Sequence, residues 1–472
     1  MKRISSRLKK LLSKLVNDLN FLSLAANFST AIMGLLSFMI LMRMLSIPDF
    51  GKWVLFTAPA SLIDMMRFGL SKEALVRFLS APTEINRKYY LGSSWAIGFL
   101  ILIPIAVILW GLTLIIPETL NTSGYDIFCY WYPILALINL PWNYAWTIFQ
   151  AELNFKRIFW IRFVNLCSFL IIISIAFWVI KIDITVVVII YLLTNLATSA
   201  FCLAKKWTGL EFLRYISYAK MKEVLRYGQF SMGTKVGSSL LKGADSFIIS
   251  FSAYCGPVGV ALYAIPLKYV ELIEIPLISF ATTAFPKLSK ASLDNDKNRF
   301  RDIFYSYTGI VVFLFIGIAF LSLILNKYFI LFIGGSKYME SLTALSYIMV
   351  LFIIYGALLP LDRFTGVALD SLNKPQRNFQ KVLYMTTANI IGDIIAVFGL
   401  HYLFPTMPVT TLLFFVALAS IVFSLIGILV GYRFLRQEID ISFWQIFRKG
   451  YSFYKENAIR LLWKRSMKNE SN

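Results

Sequence analysis

Apolar runs long enough to cross roughly 30 Å of hydrocarbon recur along this chain, near 21–45, 50–70, 89–116, 127–149, 158–180, 184–204, 227–251, 258–284, 303–326, 339–368, 379–401 and 409–433. Nothing constrains the fold more. A backbone in hydrocarbon must satisfy its own hydrogen bonds, which leaves only helices or closed barrels, and runs of this length fit helices. The expected fold class is an all-α polytopic membrane protein of about twelve transmembrane helices. Composition agrees, since 58% of residues are hydrophobic and only 15% charged, against roughly a quarter charged in soluble domains. The boundary near 327–335 is ambiguous: Tyr328 to Ile333 either extends the ninth helix or forms a short re-entrant piece.

The net charge of +21 would suggest nucleic acid in a soluble chain, but here the basic residues lie between apolar runs and not in a folded basic domain. Of 46 Lys and Arg, 36 fall in alternate connections and the two ends, whereas the opposite loops hold only Lys181, Lys327 and Lys337. The positive-inside rule then puts both termini in the cytoplasm of a bacterial inner-membrane protein, and no nucleic-acid partner is expected. The loops are too short for a periplasmic catalytic domain or a fused ATPase, so no enzyme activity, catalytic residue or cofactor is expected. Cys129, Cys167, Cys202 and Cys255 lack metal-type spacing, and His401 stands alone, so no metal site is expected. The first run is too long for a signal peptide and is expected to remain as a helix. Residues 1–20 carry Ile4, Leu8, Leu11, Leu12, Leu15 and Leu19 at helical spacing among lysines, and 434–472 carry Phe443, Trp444, Ile446, Phe447, Tyr451, Phe453 and Tyr454 among basic residues. Both read as amphipathic cytoplasmic segments on the inner leaflet.

An internal repeat organises the chain. LFTAPASLIDMMRFG from Leu55 and LYAIPLKYVELIEIP from Leu262 align at an offset of 207, pairing Phe56 with Tyr263, Pro59 with Pro266, Asp64 with Glu271 and Arg67 with Glu274. Leu153-Asn154 after the fourth run echoes Leu372-Asn373 after the tenth. The expected domains are a six-helix bundle at 21–204, a cytoplasmic linker at 205–226 and a second bundle at 227–433. Six is even, so the bundles are parallel repeats, a geometry that commonly encloses a central cavity. Pro59 and Pro266 each remove a backbone donor and act either as hinges or as static bends.

Several charges interrupt the runs. Lys235 and Lys242 lie one heptad apart with Ser238, Ser239 and Asp245 on nearly the same stripe, and Lys268, Glu271 and Glu274 follow in the eighth run. Each such charge costs about 2.5–3.5 kcal/mol at a lipid-exposed helix centre, so three lysines facing lipid would cost roughly 8–10 kcal/mol, comparable with a whole protein's stability. One reading pairs them locally at three-residue spacing, Lys242 with Asp245, Lys268 with Glu271 and Asp64 with Arg67. The other is a hydrated cavity in which Lys235, Lys242, Lys268, Arg67 and Arg363 present positive charge to an anionic head group, while Asp64, Asp245, Glu271, Glu274 and Asp393 pair with them or bind a coupling H+ or Na+.

LSIPDFG at Leu45–Gly51, FGLSKEALVRFLS at Phe68–Ser80, GADSFIIS at Gly243–Ser250 and LNKP at Leu372–Pro375, with the length and the two six-helix halves, resemble a Wzx-type O-antigen flippase. That family is a polysaccharide-exporting branch of the multidrug/oligosaccharidyl-lipid/polysaccharide (MOP) exporter superfamily, with a MATE-like fold. The resemblance implies a cationic lumen and an undecaprenyl-diphosphate-linked oligosaccharide as cargo, moved outward by alternating access. It also implies membrane lipids, an O-antigen polymerase and a chain-length regulator as partners. The chain departs from the pattern in having Ser246 where Arg often follows the acidic residue, and FPTMPVTT at Phe404–Thr411 in place of a Gly-Ala entry to the last helix. A cation-coupled drug exporter is the alternative, although its cavity would be predominantly acidic. A lipid II flippase is another, but the segment from Arg436 is too polar to supply two further helices.

Overall fold

In the computed structural model, residues 19–79, 84–152, 154–179 and 182–469 are described, the side chains of 19–29, 70, 73, 84, 85, 155, 229–238, 240–242 and 457–469 excepted. Twelve long helices coincide with the twelve apolar runs: α1 Leu19–Met44, α2 Ile47–Leu79, α3 Glu84–Ile115, α4 Asp126–Ala151, α5 Phe155–Val179, α6 Ile184–Ala204, α7 Tyr218–Phe251, α8 Gly256–Leu293, α9 Lys297–Gly334, α10 Leu342–Ser371, α11 Pro375–Ile394 and α12 Val409–Glu438. A π-helical turn, Ile395–Gly399, and a last turn, Leu400–Leu403, continue α11. A thirteenth helix, α13, runs Phe443–Asn469, and no strand occurs among the described residues.

Seven of these helices are, by length and composition, apolar enough to cross a membrane: 86–115 of α3, 156–179 of α5, α6, α9, α10, 375–403 of α11 and α12. Among the others, α2, α7 and α8 hold the interrupting charges, and α4 is rich in Trp, Tyr, Asn and Pro. Side chains such as Leu114, Trp178 and Tyr402 are 84–85% exposed, which water would penalise at about 25 cal/mol per Å² but hydrocarbon does not. The chain is a multi-pass membrane protein.

Two details refine the sequence reading. Residues 328–333 extend α9, which runs unbroken to Gly334, and the expected outer loop after α3 contains a short helix, Pro117–Ser123, closed by Gly124 at φ +79°. Contacts divide the chain into two compact units, one of 1–240 with 255–261 and the other of 241–254 with 262–472. The break therefore falls inside α7 and not in the expected linker at 205–226. That segment belongs to the first unit because Trp95 Nε1 donates to the Thr208 carbonyl at 3.0 Å and Ser93 Oγ to that of Ser217 at 3.2 Å. Within the first unit α4 is the central helix, touching α2, α3, α5 and α6. Within the second, α10 packs against α9, α11 and α12.

At the start of α7, before its apolar run, Lys220 donates to Tyr90 Oη at 3.0 Å and to Glu223 at 2.9 Å, while Tyr90 donates to Glu223 at 2.9 Å. The bonds to Tyr90 and Glu223 hold the Lys220 ammonium above its ordinary pKa, and the bond from Lys220 holds the Glu223 carboxyl below its own. The pair is therefore ionised through neutral pH; its contribution is lost as pH falls through the depressed carboxyl value or rises through the raised ammonium value.

The expected N-terminal amphipathic segment, up to residue 18, lies outside the described residues. The tail helix α13 turns one face, with Ile446 and Gly450, onto α9, and leaves Trp444, Arg448, Tyr451 and Lys455 exposed. Its backbone comes so close that a Cβ on Gly450 would sit 2.5 Å from the Gly309 carbonyl oxygen. Gly450→Leu should therefore cost about 1–3 kcal/mol through overpacking and release α13. The expected readout in purified protein is a lower thermal midpoint with faster proteolytic removal of the tail; a midpoint and cleavage rate equal to wild type would contradict this packing.

Candidate functional site

The second unit gathers its interrupting polar groups into one buried cluster. Asp245 on α7 is 5% exposed and Asp393 on α11 is fully buried. Tyr263 of α8 donates to Asp245 Oδ2 at 2.7 Å, and the Asn389 amide is within 2.8 Å of Asp245 Oδ1 and 2.7 Å of Asp393 Oδ2. The Ser420 hydroxyl of α12 lies 3.4 Å from Asp245 Oδ2 and 3.5 Å from the Val416 carbonyl. Local structure explains the convergence. Asn389 and Asp393 are one turn apart on a single helix face, and the π-helical turn follows directly after Ile394. Gly392 lets α11 meet α12, since a Cβ there would be 2.7 Å from that of Ala419.

Two carboxyl groups share one amide, and among the described residues no cation pairs with either. Asp393 Oδ1 and Asn389 Oδ1 are buried without a partner. Two neighbouring carboxylates cannot both stay ionised in so dry a place. A proton on one of them, or a monovalent cation among these oxygens, resolves the conflict, and an all-oxygen set suits a hard ion such as Na+.

The first unit holds a different cluster. Arg67 on α2, 2% exposed, donates from Nη2 to Asp64 Oδ1 at 2.7 Å and from Nη1 to the Ala136 carbonyl at 2.7 Å, and its guanidinium lies 4.5 Å from the Phe68 ring centre. Tyr132 of α4 adds a 2.8 Å bond to Asp64 Oδ1. Here a cation and an anion balance each other. Arg67 is thus buried and partnered, with the three-residue pairing to Asp64 that one of the two sequence readings expects.

The other expected site residues are dispersed. Lys268 donates to Glu271 at 2.7 Å, the local pairing expected from spacing, with Glu271 64% exposed. Glu274 is half-buried on the same helix, and Arg363 is exposed. The side chains of Lys235 and Lys242 lie outside those described. Pro59 and Pro266 are buried inside α2 and α8, and α8 carries two more prolines at ten-residue intervals, Pro276 and Pro286. Sequence reasoning missed Tyr263, Asn389, Ser420 and Tyr132; the Asn389-Asp393 spacing within an apolar run was the available signal. Lys381 of α11 is a further buried charge. The structure buries it at 3% exposure, donating to Asp362 Oδ1 at 2.8 Å and to Thr365 Oγ1 at 3.3 Å.

Solved structures with this arrangement of helices define the class. An inward-facing MATE-family multidrug transporter of the MOP superfamily matches with a TM-score of 0.70 at 13% identity, over 86% of this chain and 95% of that one. The lipid II flippase MurJ, in an inward closed conformation, matches with a TM-score of 0.69 at 18% identity, over 93% and 92%. A MOP-superfamily transporter from Pyrococcus furiosus, described as having a binding pocket of reverse polarity, matches with a TM-score of 0.55 at 13% identity, over 89% and 96%. At such identities the likeness shows the fold alone, a MATE-like arrangement of helices. The family model "Polysaccharide biosynthesis protein" matches residues 20–292, more than half of the chain, and the chain belongs to that family. A search of curated proteins gives no match.

The first-unit cluster makes a quantitative prediction. Asp64→Leu leaves Arg67 buried without its counter-ion and should destabilise by about 3–5 kcal/mol, whereas Asp64→Leu with Arg67→Met should recover most of that loss. A double-mutant cycle on thermal midpoints in detergent checks it; equal destabilisation by the single and double variants would contradict the pairing.

Proposed function

We propose that this chain is a flippase for lipid-linked oligosaccharide. In this reading it moves undecaprenyl-diphosphate-linked O-antigen or related repeat units from the cytoplasmic to the periplasmic leaflet of the bacterial inner membrane by alternating access, with both termini cytoplasmic. The observation that carries the reading is membership of a polysaccharide biosynthesis family by a membrane protein whose fold is that of MATE transporters and of a lipid II flippase. The basic interrupting residues Lys235, Lys242 and Lys268 support an anionic cargo, and the polymerase and chain-length regulator of the same pathway are the expected neighbours. Outward movement of a diphosphate bearing about two charges is favoured by roughly 4–5 kcal/mol across 100 mV, inside negative, if the charge crosses the whole field.

The Asp245–Asn389–Asp393 cluster is the coupling-ion site in this reading, taking H+ or Na+. Complementation of a flippase-deficient O-antigen strain tests the cargo. Wild type should restore surface polysaccharide on a gel, and Lys235→Ala, Lys242→Ala or Lys268→Ala should reduce it at equal membrane levels. Failure across several repeat-unit backgrounds together with resistance to cationic dyes would turn the reading to a drug exporter. The ion is tested separately. If Na+ occupies the cluster, replacing K+ by Na+ at constant ionic strength raises the thermal midpoint of wild type and not of Asp393→Asn; if H+ does, transport varies with pH and not with Na+. Transport indifferent to both ions, with Asp245→Asn and Asp393→Asn fully active, would remove coupling from the account.

A further inference from the structure

A second charged cluster in the first unit has no role in the account so far. Trp146 of α4 carries two cations from two other helices: the Arg162 guanidinium of α5 lies 4.3 Å from its ring centre and the Lys72 ammonium of α2 lies 5.3 Å from it. The two charges are therefore at most 9.6 Å apart. Arg162 is half-buried, and among the described residues its guanidinium rests on the Trp146 face with no hydrogen bond or ion pair. A guanidinium has five donors in a planar fork suited to carboxylate or phosphate, so a desolvated one resting only on an indole face leaves that capacity unused. A third cation, Arg157, five residues earlier on α5, lies over Phe149 at 5.0 Å and Trp207 at 5.4 Å. The platform is rigid: Trp142, Trp146 and Trp207 pack against a buried core of Ala145, Phe149, Ile158, Ile161 and Cys202. An aromatic face holds each cation by its ring quadrupole and leaves the guanidinium N–H fork of Arg162 available to an anion.

We propose that Arg162 and Lys72, seated on Trp146, form a phosphate-binding site at the basic end of the first unit, for the diphosphate of a polyprenyl carrier on its way into the transporter. The carrier as occupant rests on the flippase reading; the phosphate chemistry rests on the residues alone. Arg162 supplies the bidentate contact and Lys72 a point charge for the second phosphate or its outer oxygens.

Isothermal titration of farnesyl diphosphate into the full-length protein in phosphatidylcholine nanodiscs tests it, with farnesol as the uncharged control. Wild type should bind the diphosphate and not the alcohol. Arg162→Gln should weaken binding at least tenfold and Lys72→Gln severalfold, while Arg162→Lys, which keeps the charge but loses the fork, should bind between wild type and Arg162→Gln with the wild-type thermal midpoint. Repeating the titration with phosphatidylglycerol in the nanodisc distinguishes the sources. Undiminished binding supports the carrier diphosphate, and competition that depends on Arg162 supports the same site with a phospholipid head group as occupant. Wild-type affinity in both Gln variants would overturn the proposal and return the two cations to a structural clamp on Trp146. Because this is an equilibrium measurement without translocation, failed complementation beside Arg162-dependent binding would sink only the transport reading. Successful complementation beside Arg162-independent binding would sink only the site.

Discussion

A charge in hydrocarbon must be neutralised by a partner, by water or by a change of protonation, because the alternative costs several kcal/mol per group. Much of this structure is an answer to that constraint. In the first unit Arg67 is matched by Asp64, Tyr132 and a backbone carbonyl. In the second, Lys381 is matched by Asp362 and Thr365. Each of these is a cation beside an anion, so the charge is balanced within the chain. The Asp245–Asn389–Asp393 cluster is not of that kind. It buries two acids around one amide and leaves two oxygens without partners, so charge balance there calls for something the described side chains do not provide.

The distinction between balanced and unbalanced clusters also separates structural from functional charge elsewhere. Lys268 and Glu271 satisfy each other on one exposed edge of α8, whereas Arg162 has only an aromatic face.

Much of the fold was legible in the sequence because hydrocarbon reads length and polarity directly. All twelve apolar runs became helices, and the ambiguous stretch at 328–333 resolved into the end of α9. The clusters were less legible, because hydropathy locates a charge along the chain without saying which helix faces it. Asp245 and Asn389 are 144 residues apart, and Arg67 and Ala136 are 69 apart; no local spacing rule links them. The pairing of Lys268 with Glu271 was readable because it is local, at three residues on one helix. Lys381 and Asp362 are likewise brought together from different helices, 19 residues apart. Within 205–226, the backbone carbonyls of Thr208 and Ser217 accept from Trp95 and Ser93 of α3, long-range contacts that polarity alone does not reveal.

The most direct test is reconstitution of the purified protein into liposomes containing a fluorescent undecaprenyl-diphosphate oligosaccharide, with a membrane-impermeant quencher reporting which leaflet holds the label. The account predicts that wild type exchanges the labelled lipid between leaflets well above the rate of protein-free vesicles, and that Asp245→Asn with Asp393→Asn removes the dependence of that exchange on an imposed ion gradient. Leaflet exchange no faster than in empty vesicles, with correctly folded protein and either ion present, would contradict it.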